Sequence, residues 1–189
     1  MPRHPDPQLE ERIIKAAQKL VKKGEAALTM RAVAEMAGTN TPAVYRRFRH
    51  RREIIWALVG RLQRESAEVV ASSPTLEEAC ERFLEFALAR SHEYELFYRH
   101  ADQLPRSGKT GAPLREFRPT MAVVEEKLAE RFGGRPEDHT RLMLALWALT
   151  HGTIMILTSK SLPPEHAPEF RSVFSKSVRT LLAGAVSGP

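Results

Sequence analysis

Apolar residues recur every three or four positions through nearly the whole 189-residue chain, with no convincing run of alternating or β-branched residues between them. That period fits the turn of an α-helix and not the pleat of a strand, so the sequence specifies an all-α protein. Residues 8–23 carry Leu9, Ile13, Ala16, Ala17, Leu20 and Val21 on one face, and Gly24 stops the helix. Two short helices follow. Thr29 can cap one that bears Met30, Val33, Ala34 and Ala37 and is closed by Gly38. Asn40 can cap the next, where Thr41, Val44, Tyr45 and Phe48 repeat the spacing and Pro42 falls in a first turn that needs no amide donor. A longer helix over residues 51–72 turns Ile54, Ile55, Leu58, Val59, Leu62 and Val69 inward. Further helices are expected from Thr75, with Leu76, Cys80, Phe83, Leu84 and Ala87 buried, and over 93–100, 114–132, 136–159 and 165–185, with a loop at 104–113, about nine helices in total. The helix over 136–159 is apolar on almost every side and must be covered on more than one face.

Charge divides the chain in two. Residues 1–64 hold 14 Lys/Arg against 6 Asp/Glu, net +8, whereas the remainder holds 15 against 17, net −2. A basic head on a mildly acidic body suggests a head that binds a polyanion. The single cysteine, Cys80, offers no internal disulfide, fits a reducing compartment and reads as a small core residue. Neither a signal peptide nor a membrane span is expected, because the start lacks an apolar stretch and residues 142–157 are interrupted by Thr150, His151, Gly152 and Thr153.

Residues 29–55 carry the most chemistry. If Val44, Tyr45 and Phe48 pack inward, then Asn40, Ala43, Arg46 and Arg47 point outward, giving small and amide groups for base edges and arginines for phosphates. The plain alternative is that Arg46, Arg47, Arg49, Arg51 and Arg52 only solvate a helix end. Against it stand two capped helices around a glycine turn in a head of net charge +8.

The segment resembles the helix-turn-helix of the TetR family of bacterial transcription regulators. The resemblance covers residues 8–56: a first helix LEERIIKAAQKLVKKG, the T-x-R-x-V/I-A pattern as Thr29, Arg31, Val33 and Ala34, the turn Ala37-Gly38, the start Thr39-Asn40-Thr41-Pro42-Ala43, then Tyr45, Phe48 and Arg51. Asn40 stands where serine is usual and Arg51 where lysine is usual, which keeps a cap and a cation. The resemblance implies a DNA-binding domain at residues 1–52 and a helical effector-binding and dimerisation domain at 53–189. It implies a homodimer in the bacterial cytoplasm, at the nucleoid when on DNA, and most often a repressor, reading an inverted-repeat operator and answering a small-molecule effector. Thr29, Arg31 and Thr39 join the DNA-contacting set. Tyr45, Arg46, Arg47 and Arg51 are expected at phosphates or groove edges, and Thr41, Pro42 and Ala43 against bases.

Trp147 to Gly152 further resembles the W-x-x-x-H-G pattern of one regulatory-domain subgroup of that family. Met143, Trp147, His151 and Met155 share a helix face, while Ala145, Ala148 and Gly152 form a second face of small residues. With Phe83, Phe86, Tyr94, Phe97 and Met121, the first set is expected to line a lipophilic or aromatic effector's pocket, although the same residues would serve as plain core. The second face, with Phe170, Val173, Phe174, Val178 and Leu181, is expected at the dimer interface. Seven histidines include no pair at i, i+4, so no metal site is expected, and no nucleophile, paired-carboxylate or dinucleotide motif indicates an enzyme or a cofactor. A small-molecule carrier or enzyme with an incidental basic head, and a DNA binder without effector, are the competing readings.

Overall fold

In a computed structural model the structure describes residues 8–100, 118–159 and 162–185. These form α1 (Leu9–Val21), α2 (Met30–Met36), α3 (Thr41–Arg47), α4 (Arg51–Ala71), α5 (Leu76–Ala89), α6 (Ser91–His100), α7 (Pro119–Phe132), α8 (Thr140–Thr158) and α9 (Ala167–Gly184). No strand occurs among the described residues, so the fold is all-α as the periodicity predicts. The expected loop at 104–113, and Leu114 and Phe117 of the helix expected from 114, lie outside the described residues.

The chain forms two compact units. The first comprises residues up to Leu62 and the segment beginning at His92; the second comprises Gln63–Ser91 and the chain from Arg106 onward. Among the described residues, α4 and α6 each carry residues of both. The expected boundary at residue 52 falls at the second residue of α4.

In the first unit α1 buries Leu9, Ile13, Ala16, Ala17, Leu20 and Val21, and α2 packs on α1 and α3. In the second, α8 packs on α5, α7 and α9. Thr75 Oγ1 accepts from the Glu78 amide at 3.1 Å and caps α5. Burial pushes the Cys80 thiol up to about 12, with Glu77 and Glu81 adding to the shift, which leaves an inert core group. The later half of α4 turns Ser66 and Val70 inward, and Val69 is only half-buried, against the sequence reading. Ser66 Oγ, 2.8 Å from Thr120 Oγ1 on α7, accounts for a polar residue at that position.

The stretch Pro136–Thr158 is long and apolar enough by length and composition to cross a membrane, and 28% of its most apolar window is buried within the chain. Three packed neighbours therefore leave much of α8 uncovered.

Candidate functional site

The head is built from short-range rules. Thr29 Oγ1 accepts from the Ala32 amide at 3.1 Å and opens α2. Gly38, at φ 64°, closes it: the Thr39 amide donates to Ala34 O at 2.9 Å and the Gly38 amide to Glu35 O at 3.2 Å, a Schellman arrangement. A side chain would strain that left-handed residue, so glycine there sets the direction in which α3 leaves α2. Asn40 Oδ1 accepts from the Ala43 amide at 2.9 Å and opens α3. Arg12 Nε donates to Ala37 O at 3.2 Å and fastens α1 to the turn.

Helix α3 turns Ala43, Val44 and Phe48 inward and leaves Tyr45 51% exposed. The exposure of Tyr45 corrects the expectation that it packs inward and leaves open its expected place at a phosphate or groove edge, and the burial of Ala43 corrects its expected place against bases. The buried side is rotated toward Ala43 by less than the ~100° of one residue, and the small Ala43 side chain suits close packing on α2. The exposed side holds Asn40, Pro42, Tyr45, Arg46 and Arg47, with Thr39 and Thr41 half-buried beside it, and Thr29 and Arg31 are exposed at the start of α2. Arg49 and Arg52 are exposed just beyond, the Arg52 guanidinium 5.4 Å from the centroid of Trp56.

Arg51 is half-buried and engaged within the first unit. Its Nη2 donates to Glu25 Oε1 at 2.8 Å and to Glu25 O at 2.9 Å, so the guanidinium holds the start of α4 to the turn after α1. The same carboxylate receives Arg99 Nη1 at Oε2, 2.8 Å, and stands 3.0 Å from His100 Nε2 at Oε1. Burial alone would raise the Glu25 carboxyl, but hydrogen bonds from Arg99 and His100 and the charges of His100 and Arg51 hold it below its usual value. Sequence reasoning missed this cluster, because Glu25 and Arg99 are 74 positions apart and each reads as a solvated charge.

The expected effector residues are divided between the two units. Tyr94 and Phe97 are buried in the first unit, where Tyr94 OH lies 3.3 Å from Tyr98 OH. Within that unit α6 joins the head through Glu25 and through Gln18 Nε2, which donates to the buried Glu93 at 3.3 Å. In the second unit Met121 and Met143 are buried, and Phe83, Phe86, Trp147 and His151 are half-buried. The Trp147 and His151 rings stack at 5.7 Å with 13° between planes, and the Arg118 guanidinium stands 5.4 Å from the Trp147 centroid. Burial first, and the Arg118 charge second, lower the His151 pKa. Met155 is exposed, not interior, because it follows His151 onto the uncovered side of α8.

Of the expected dimer residues, Ala148 and Val173 are exposed and Ala145, Gly152, Phe170 and Leu181 are half-buried. Phe174 and Val178 are each 1% exposed and belong to the chain's own core, a correction that follows from α9 packing on α5 and α8. An open cleft of about 530 Å³ beside Phe174 is lined mostly by Glu78, Glu81, Arg82, Glu85 and Arg171, and includes none of the expected effector residues. Among the described residues no three His, Cys, Asp or Glu side chains come together as a metal site would require.

A capped helix-turn-helix whose second short helix presents an arginine-bearing face, attached to a separate helical unit, has the form of a DNA-binding regulator. The description "Bacterial regulatory proteins, tetR family" matches residues 13–58, and "Tetracyclin repressor-like, C-terminal domain" matches residues 76–181. The chain belongs to the tetR family. Among solved structures it resembles SCO4313, with 22% identity over 93% of this chain and 96% of that one and a TM-score of 0.67. It also resembles the transcriptional regulator SCO7222, a TetR from Streptomyces coelicolor, with 21% identity over 94% and 97% and a TM-score of 0.61. A third is the multidrug binding protein EbrR complexed with malachite green, with 20% identity over 90% and 98% and a TM-score of 0.57. Comparison with curated proteins yields no match.

Proposed function

We propose that the chain is a homodimeric, ligand-released repressor that binds an inverted-repeat operator through the exposed side of α3. The observation that carries this is the orientation of α3: Val44 and Phe48 anchor it while Pro42, Tyr45, Arg46 and Arg47 face outward beside Thr41. Pro42 and Thr41 then lie against bases, and Tyr45, Arg46 and Arg47 at phosphates or groove edges, with Thr29, Arg31 and Thr39 on the flanking backbone. Asn40 caps, and Arg51 positions α4.

A second copy is proposed to cover the exposed part of α8 and α9 at Ala148, Met155, Ile156 and Val173, with Ala145, Gly152, Phe170 and Leu181 beside it. Two heads related by a two-fold axis gain the specificity that one seven-residue helix lacks. The effector is proposed to be lipophilic or aromatic and to bind among Met121, Met143, Trp147 and His151, with Phe83 and Phe86 nearby. Malachite green on EbrR supports that class of ligand. To act, it must bind better to the conformation in which the heads do not fit DNA. Two helices, α4 and α6, carry residues of both units and are the routes for that change. The site of action is the bacterial cytoplasm, at the nucleoid when on DNA.

The experiment is a screen of lipophilic compounds for release of a duplex selected from a random pool. Release by at least one compound is expected; constant occupancy under every compound would leave a DNA binder without an effector.

A further inference from the structure

We propose that the effector site of the second unit, as read above, selects an apolar organic cation, and that Glu125 on α7 meets its charge. Two contacts fix how α7 and α8 face each other: Arg118 over the Trp147 ring at 5.4 Å, and Thr140 Oγ1 donating to Glu125 Oε1 at 2.6 Å. Seven residues forward on α7 and seven back on α8 lead from one contact to the other. The helices therefore run antiparallel in register, and the contacts stand about 10 Å apart. Midway, one turn from each, lie Met121 and Met143, both buried.

Glu125 is 2% exposed, and its Oε2 has no hydrogen-bond partner. Among the described residues no lysine, arginine or histidine forms an ion pair with it. A buried carboxylate oxygen without a donor is costly, and a cation that supplies an N–H or a positive charge there recovers that cost. The neighbouring rung consists of two unbranched, polarisable side chains that can move aside for a flat apolar body. Trp147 beyond it already holds a planar cation over its ring and a second ring stacked on it. An interval of this length, with a carboxylate at one end, methionines between and an aromatic ring at the other, matches an aromatic amine or a triarylmethane cation.

The inference rests on the effector reading, and the test separates the two. Binding of malachite green and of uncharged triphenylmethanol is measured on the full chain and on Glu125→Gln, which keeps the side-chain volume and an acceptor for Thr140. Malachite green, whose dimethylamino groups carry a positive charge but no N–H, is expected to bind the variant at least about tenfold more weakly, the scale of a lost charge pair at a buried carboxylate. Triphenylmethanol is expected to bind both chains alike. The thermal midpoint of Glu125→Gln is expected at or above that of the wild type, since a buried unpaired charge is removed; Glu125→Asp is expected to recover part of the cation affinity. Equal malachite green binding by wild type and Glu125→Gln, or no preference of the wild type for the cation, overturns the inference. If the uncharged compound then still binds and releases DNA, the effector reading survives without the charge selection; if neither compound binds or releases DNA, both fall.

Discussion

Arg51 at the start of α4 holds Glu25 through both its carboxylate and its carbonyl, at 2.8 and 2.9 Å, and that carboxylate also receives Arg99 and lies beside His100 at the end of α6. One acid in the turn after α1 thus gathers two helices that the sequence separates. Replacing it with glutamine removes the charge that Arg51 and Arg99 share, and unfolding free energy is expected to fall by about 1–3 kcal/mol, measured by urea denaturation. The pH dependence follows from the lowered carboxyl. The contribution is complete above the usual value of 4.5 and is lost as pH falls through the lower folded value, so Glu25→Gln should flatten the acid limb of the stability profile.

The Asn40 cap gives a second expectation. Asn40→Ala removes the acceptor for the Ala43 amide and should cost about 1 kcal/mol, while Asn40→Ser should cost a few tenths. Loss of DNA affinity should follow the same order in a binding titration, because the cap fixes the first turn of α3.

For the exposed side of α3, Arg46→Ala should weaken binding to every duplex similarly and reduce the magnitude of the salt slope by about one unit. Thr41 and Pro42 substitutions should instead change base preference at one or two positions. Unchanged affinity and salt slope in Arg46→Ala would remove that residue from the interface.

Burial separates two neighbours on α9. Val173→Asp, on an exposed residue, should yield folded monomers with at least about tenfold weaker operator binding. Phe174→Ala, in the core, should cost about 3–5 kcal/mol. Light scattering and thermal unfolding distinguish the outcomes, and a folded wild-type monomer at micromolar concentration would contradict the dimer.

His151 supplies a pH signature of the second unit. Its folded pKa lies below the usual 6.5, so its neutral form favours the folded state fully above that value, and this stability is lost as pH falls through the lower folded pKa. His151→Phe should remove that loss, read as the difference in urea midpoint on either side of 6.5.

What the sequence made legible was local. Thr29, Gly38, Asn40 and Thr75 act within five residues of themselves, and each cap or turn stands where its residue type predicts. The facing of α3 was not legible, since a seven-residue helix offers two turns of pattern, and Ala43 and Tyr45 fit either side. That Tyr94 and Phe97 belong to the first unit was not legible, because an aromatic run carries no address for the unit it joins. Glu125 left no signal: an acid one turn after Met121 reads as a solvated position, and tertiary packing of α7 buries it.

The most direct measurement of the central claim is selection of duplexes from a random pool by the full chain, with affinity for the enriched sequence compared to that for random DNA. The account predicts an inverted repeat bound at least about a thousandfold more tightly than random sequence at physiological salt, with the preferred bases at one or two positions changed when Thr41 and Pro42 are replaced. Equal affinity for enriched and random duplexes, or enrichment unchanged by those substitutions, would contradict it.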